Sequence, residues 1–340
     1  MGFVYVANRG DDTVSVIASS TNSVIATVPV GDDPLNIVTT PDGKFVYVGN
    51  IDDNTVSVIA TSTNSVIATI GVGILGVSVG IVITPDGKFV YVRNGIDDTV
   101  SVIASSTNSV IATIGVGNSD FPVGMVITPD GKFVYVANGD DDTVSVIATS
   151  TNSVIATVPV GDDPDNMVIT PDGKFVYVAN EDGDTVSVIA TSTNSVIATI
   201  GVGILGVSVG IVITPDGKFV YVGNGATVSV IATSTNSVIA TIPVGGSPVG
   251  MVITPDGRFV YVANRFDATV SVIATSTNSV IATVPVGDVP LNIVTTPDGK
   301  FVYVANGDDA TVSVIATSTN SVIATVPVGD SPVGMVITPK

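Results

Sequence analysis

Thr55–Thr69 reads TVSVIATSTNSVIAT, and this fifteen-residue stretch occurs eight times, changed only by Ser for Thr at Ser19 and Ser105. Its two halves are rich in β-branched residues and carry a period-two pattern, the signal of short strands. The Ser-Thr-Asn-Ser between them is a polar turn. Working outward, each copy follows a second constant element, FVYV, whose tyrosines stand at 5, 47, 91, 135, 177, 221, 261 and 303. The repeat is thus 40–44 residues long. A fourth segment, such as IVITP at 81–85, precedes FVYV across a Thr-Pro-Asp-Gly turn in which Pro pre-sets φ and Gly relieves strain. IVIT, FVYV, TVSVIA and SVIAT are designated strands A, B, C and D. Four strands in about 42 residues is the signature of a propeller blade, not of a helical or leucine-rich solenoid.

The sequence therefore predicts an all-β, eight-bladed β-propeller with four antiparallel strands per blade, forming a single domain over 1–340. The chain begins at a strand B and ends after a strand A. One composite blade, from 3–30 and 333–338, is expected to close the ring by pairing the carboxy-terminal strand A with the amino-terminal strands B, C and D. Strand D is left as the free edge, and Pro29, Pro159, Pro243, Pro285 and Pro327 fall within it, where a missing N–H blunts sheet-to-sheet pairing.

The repeat resembles the YVTN family of β-propeller repeats, on the strength of PDGKFVYVAN at 129–138, the TVSVI that follows, and VPVG at 158–161. The resemblance spans essentially the whole chain. It implies a surface-layer or cell-surface propeller, although the amino terminus, MGFVYVANRG, enters a strand directly and shows no signal-peptide pattern.

Charge separates the two sets of connections. Each of the seven Asp in the A–B turns stands two residues before a Lys or Arg, so those turns are neutral. The other 23 acidic residues all lie in B–C or D–A connections, offset only by Arg9, Arg93 and Arg265. The net charge is -19, which argues against a nucleic-acid partner. No apolar run reaches the roughly 20 residues of a membrane-spanning helix, so no membrane insertion is expected.

Any ligand is expected on this acidic face, where Asp11, Asp12, Asp32, Asp33, Asp97, Asp98, Asn36 and Asn292 are candidate contacts for a protein or cationic partner. Clustered oxygens at Asp140, Asp141, Asp142, Asp162, Asp163, Asp165, Glu181, Asp182 and Asp184 suit a hard cation such as Ca²⁺. The competing reading is that these are turn formers whose charge keeps the protein in solution. Ile74, Leu75, Ile204 and Leu205 stand out as apolar residues on that face. The D–A loops also repeat in groups of three blades, the mark of recent amplification or deliberate assembly from repeats.

The chain has no Cys and no His, which removes thiolate nucleophiles and the commonest general base. A propeller enzyme would call for asymmetric residues, whereas these blades are nearly identical. The expectation from sequence is therefore a monomeric, non-enzymatic scaffold or interaction module without a cofactor, the alternative being a Ca²⁺-binding surface module.

Overall fold

In the computed structural model, residues 2–76, 80–118, 124–203 and 210–339 are described. They form eight four-stranded antiparallel sheets and no helix. The architecture is an eight-bladed β-propeller. Blade 2 shows the pattern: strands Pro34–Thr39, Phe45–Asn50, Thr55–Ala60 and Ser65–Gly71, hydrogen-bonded in chain order. Blade 1 is the composite one. Its strand A, Pro332–Ile337, pairs with Phe3–Asn8 in the register Tyr5 to Val336. That pairing closes the ring, and Thr338 N–H donates to the Phe3 carbonyl to extend it.

The chain divides into two compact units. One comprises Met1–Thr69, Gly225–Val228 and Ile242–Lys340, and the other Ile70–Asn224 and Ser229–Thr241. The first unit holds most of blades 1, 2, 7 and 8, and the second most of blades 3 to 6.

Strand B is buried on both faces, which is why it reads as an apolar run. In blade 1, Val4 and Val6 pack with Tyr303, Val312 and Val314 of blade 8, while Tyr5, Val14 and Val16 pack with Ile37, Val46 and Val48 of blade 2. The same arrangement recurs in the second unit, where Tyr135 and Val144 meet Val176 and Ile189. Six of the tyrosine hydroxyls cross to the next blade. Tyr5 donates to Asn64 Oδ1 at 2.7 Å, and Tyr91, Tyr135, Tyr177, Tyr261 and Tyr303 donate to Asn152, Asn194, Asn236, Asn320 and Asn22. The accepting Asn is the turn residue between strands C and D, held near φ 50° in the left-handed region that Asn tolerates. One residue thus shapes a turn and ties two blades. Burial raises the tyrosine pKa from 10.0 to about 12.

The A–B turns are equally regular. Thr40 Oγ1 donates to Asp42 Oδ1 at 2.7 Å, Lys44 Nζ lies 3.0 Å from Asp42 Oδ2, and Gly43 takes φ 68°. The hydrogen bond from Thr40, with those from Lys44, holds the Asp42 carboxyl at about 2, well below its usual range.

Strand D differs from a simple alternating strand. In blade 1 the register jumps from Val16–Ala26 to Ile17–Val24, leaving Ile25 as the extra residue of a β-bulge, half exposed. Five other blades show the same bulge. It protects the free edge alongside the prolines, because a bulge twists the edge away from a flat partner.

Candidate functional site

The B–C and D–A connections are built on a hydrogen-bonding device that uses up much of their acidity. The third residue of most B–C loops is Asp, and its carboxylate accepts a backbone N–H from the D–A loop leading into the same blade. Asp11 accepts from Asp330, Asp53 from Asp32, Asp97 from Ile74, Asp141 from Asn118, Asp267 from Gly246 and Asp309 from Asp288, at 2.7–2.9 Å. Asp12 and Asp142 serve the following loop in the same way, accepting from Asp33 and Asp163. Such loops need a short side-chain acceptor to satisfy amides that have no strand partner.

In the first unit, the Arg9 guanidinium makes a two-pronged contact with the Asp33 carboxylate, and that hydrogen bonding holds its charge more firmly. Asp32 lies among Asp53, Asp12 and Asp52, whose repulsion raises its pKa. Asn36 Oδ1 accepts the N–H of Ile37, and Asn292 pairs with Ala305 at the mouth of its strand.

The second unit brings together more. Asp163 accepts the Glu181 N–H at its carbonyl, Asp162 accepts that of Gly183, and Asp165 accepts that of Gly124. Asp184 closes the loop by donating to Glu181 and accepting from Val202. Glu181, the only Glu in the chain, is half-buried, and its pKa rises to about 7. Desolvation is the largest cause, followed by repulsion from Asp165, Asp163 and Asp182. Asp163 is raised too, by burial and then by Asp182, Asp140 and Asp142.

Next to this cluster is a residue not singled out from the sequence. Arg93 occupies the position held by Ala or Gly in the other seven copies of FVYV-x-N, and it is fully buried. Nη1 donates to the Ala137 carbonyl at 3.2 Å, while Nε and Nη2 have no hydrogen-bond partner among the described residues. Burial lowers its pKa to about 10, well below the usual guanidinium range, against the opposing pull of Asp98 and Asp140. The signal was present as an interruption of the repeat: one charged residue in a column of small ones.

Electrostatic neighbours therefore run from Arg93 to Asp140, from Asp140 to Asp163 and from Asp163 to Glu181, over loops of three blades. Chemically, a half-buried carboxyl poised near neutrality can give and take a proton under ordinary conditions. Among the described residues, no group of three or more acidic side chains is placed to hold a metal ion. Leu75 is buried and Ile74 exposed, while Ile204 and Leu205 lie outside the described residues.

Comparison with known proteins gives a family and a set of folds. The family model described as "Lactonase, 7-bladed beta-propeller" matches residues 1–70, 77–156, 126–200 and 233–326. Those matches cover most of the chain in several pieces, and here the blades number eight. None of the curated proteins compared matches the chain. Among solved structures, hydrazine synthase of Kuenenia stuttgartiensis is 26% identical, with a TM-score of 0.68 over 85% of this chain and 97% of that one. The dihydro-heme d1 dehydrogenase NirN, in complex with DHE, is 17% identical, with a TM-score of 0.83 over 98% and 74%. A functionally unknown protein from Desulfotomaculum acetoxidans DSM 771 is 19% identical, with a TM-score of 0.71 over 99% and 98%. The last two likenesses speak to fold alone.

These matches correct the expectation that the chain is not an enzyme. The matched family is named for lactonases, and the 26%-identical structure is that of a hydrazine synthase, so the propeller is enzyme-like. The argument from missing His and Cys failed for a physical reason. A proton-transfer group needs a pKa near the working pH, and burial among like charges can bring a carboxyl there. The argument from identical blades failed because Arg93 and Glu181 each break the repeat.

Proposed function

The chain belongs to the lactonase family of seven-bladed β-propellers, and on that premise we propose that it is a hydrolase that opens a lactone ring at the acidic loops of blades 4 and 5. The observation that carries this reading is Glu181, a unique carboxyl with its pKa at about 7 in a half-buried setting.

As a general base, the Glu181 carboxylate takes a proton from a water molecule as the water oxygen attacks the lactone carbonyl. The tetrahedral intermediate collapses with cleavage of the ring C–O bond. The departing alkoxide takes the proton back from the Glu181 carboxylic acid, leaving a hydroxy acid that ionises to its carboxylate. The base is regenerated and no external reductant or oxidant is required. Burial, and after it the charges of Asp165, Asp163 and Asp182, keep the Glu181 pKa up, so the residue can both accept and return the proton near neutral pH. The same charges select the substrate. A neutral or cationic lactone is favoured, and a phosphorylated one is repelled by a chain of net charge -19. Repulsion also helps expel the anionic product. The YVTN-like repeat supports reading the chain as a surface-layer protein, and that is part of the same proposal.

The test is a pH-stat assay over a panel of neutral, cationic and phosphorylated lactones. The expected result is hydrolysis of the uncharged members with a kinetic limb near pH 7, and a loss of about 10²-fold or more in kcat/KM for Glu181→Gln. Equal activity of the Gln variant, or no turnover of any lactone, refutes the proposal.

A further inference from the structure

Two solvent-open grooves in the first unit have the same construction. One, of about 410 Å³, runs between the end of strand D of blade 7 and the B–C side of blade 8. The other, of about 470 Å³, lies at the equivalent place between blades 8 and 1. Both volumes fall in the range of small-molecule sites. In the first, Pro285 and Val286 form an aliphatic wall, facing Asp309, Thr311, Ser313 and Thr325. In the second, the corresponding residues are Pro327, Val328, Asp11, Thr13, Ser15 and Thr27.

The hydrogen bonding beneath each groove gives the hydroxyls a direction. Asn306 is fully buried, and its Nδ2 donates to Thr311 Oγ1 at 3.0 Å and to Ser313 Oγ at 2.9 Å. Asn8 does the same to Thr13 and Ser15. A hydroxyl that already accepts an amide N–H keeps its own hydrogen to donate. The Asp309 carboxylate, with Oδ2 on the Asp288 N–H, supplies acceptors beside these donors. Asn306 Oδ1 and Asn8 Oδ1 are buried behind these hydroxyls and lack a hydrogen-bond partner among the described residues, as does the equivalent Asn in five other blades, so the Asn serves to orient the hydroxyls and not to meet a ligand.

We propose that these grooves are binding sites for a neutral polyhydroxylated ligand of monosaccharide size. A vicinal diol both donates and accepts, which matches a carboxylate next to two hydroxyl donors. The C–H face of a pyranose ring matches the Pro–Val wall. The lining carries no cationic side chain to hold an anion. It also lacks the several converging carboxylates that a hard cation requires. The same set recurs in sequence at Asp53, Thr55, Ser57 and Thr69 beside Pro29 and Val30.

The test is saturation-transfer NMR on the full chain, with the methyl glycosides of glucose, mannose and galactose at tens of millimolar and glucuronate as the charged control. Transfer to the ring protons of at least one hexoside is expected, with little to glucuronate. Thr27 and Thr325 are exposed on strand D, so the double variant Thr27→Val/Thr325→Val keeps its fold. Its signal is expected to fall several-fold with an unchanged melting temperature. Glu181→Gln is expected to bind as the wild type does, which separates this site from the hydrolytic one. The proposal is overturned by no transfer to any hexoside, by equal transfer to glucuronate, or by an unaltered signal in the double variant.

Discussion

Replacing Arg93 with alanine exchanges a buried guanidinium for the side chain already present at Ala7, Ala137, Ala179, Ala263 and Ala305, so the backbone accepts it without rearrangement. Burial costs wild-type Arg93: its pKa falls well below the usual guanidinium value, to about 10, a preference for the neutral form of roughly 3 kcal/mol. The unsatisfied Nε and Nη2 add about 1 kcal/mol or more. Against this, alanine forfeits the hydrogen bond to the Ala137 carbonyl, about 1 kcal/mol, and the burial of the side-chain methylenes, about 2 kcal/mol. The balance is a stabilisation on the order of 1–2 kcal/mol, or about 2–3 °C in Tm for a chain of this length. The sign with pH follows from a base whose folded pKa lies below its unfolded one. The penalty is fully present below about pH 10 and shrinks as pH rises above that towards the unfolded guanidinium's pKa, because the unfolded state then binds more protons. Calorimetry and urea midpoints at pH 7 and pH 10.5 should show the variant ahead at pH 7 and its lead shrinking at pH 10.5. A variant about 2 kcal/mol less stable than wild type at pH 7 refutes the reasoning, because the guanidinium would then be well compensated.

Tyr5→Phe removes the 2.7 Å hydrogen bond to Asn64 and is expected to cost about 1 kcal/mol in the urea midpoint. The wild type should also lose stability as pH climbs from 10 to 12, since the folded tyrosines hold their protons longer than the unfolded ones, and the variant should lose slightly less. Val289 sits at φ 53°, where Asp33 and Asp163 stand in other blades, and a β-branched residue is strained there. Val289→Gly should therefore raise Tm by an amount corresponding to about 1 kcal/mol, measured by calorimetry; a lower Tm would show that packing of the valine outweighs the strain.

The framework was legible because its causes are local. Alternation in FVYV and TVSVIA, the Pro-Asp-Gly turn and the constant Ser-Thr-Asn-Ser each act over a few residues, and the split blade at the ends followed from counting strands. The bulge at Ile25 escaped this reading: SVIAT alternates without a break, and only pairing with strand C makes one residue superfluous. The acidic loops were read as one charged face. In the structure, eight of their aspartates are committed to backbone amides about 21–23 residues away, or 319 residues away for Asp11.

By itself, the sequence determined the strands, their number per repeat, the turns and the closure of the ring, because period-two burial and turn chemistry are written into neighbouring residues. Tertiary structure alone decided which charges are available for chemistry. Arg93 is buried against blade 4, where it meets the Ala137 carbonyl, and the Glu181 pKa rises to about 7 because the fold excludes water from it and then brings Asp165 and Asp163 of the preceding loop up beside Asp182. Desolvation and charge repulsion depend on distances through space, and the order of residues along a chain does not contain them.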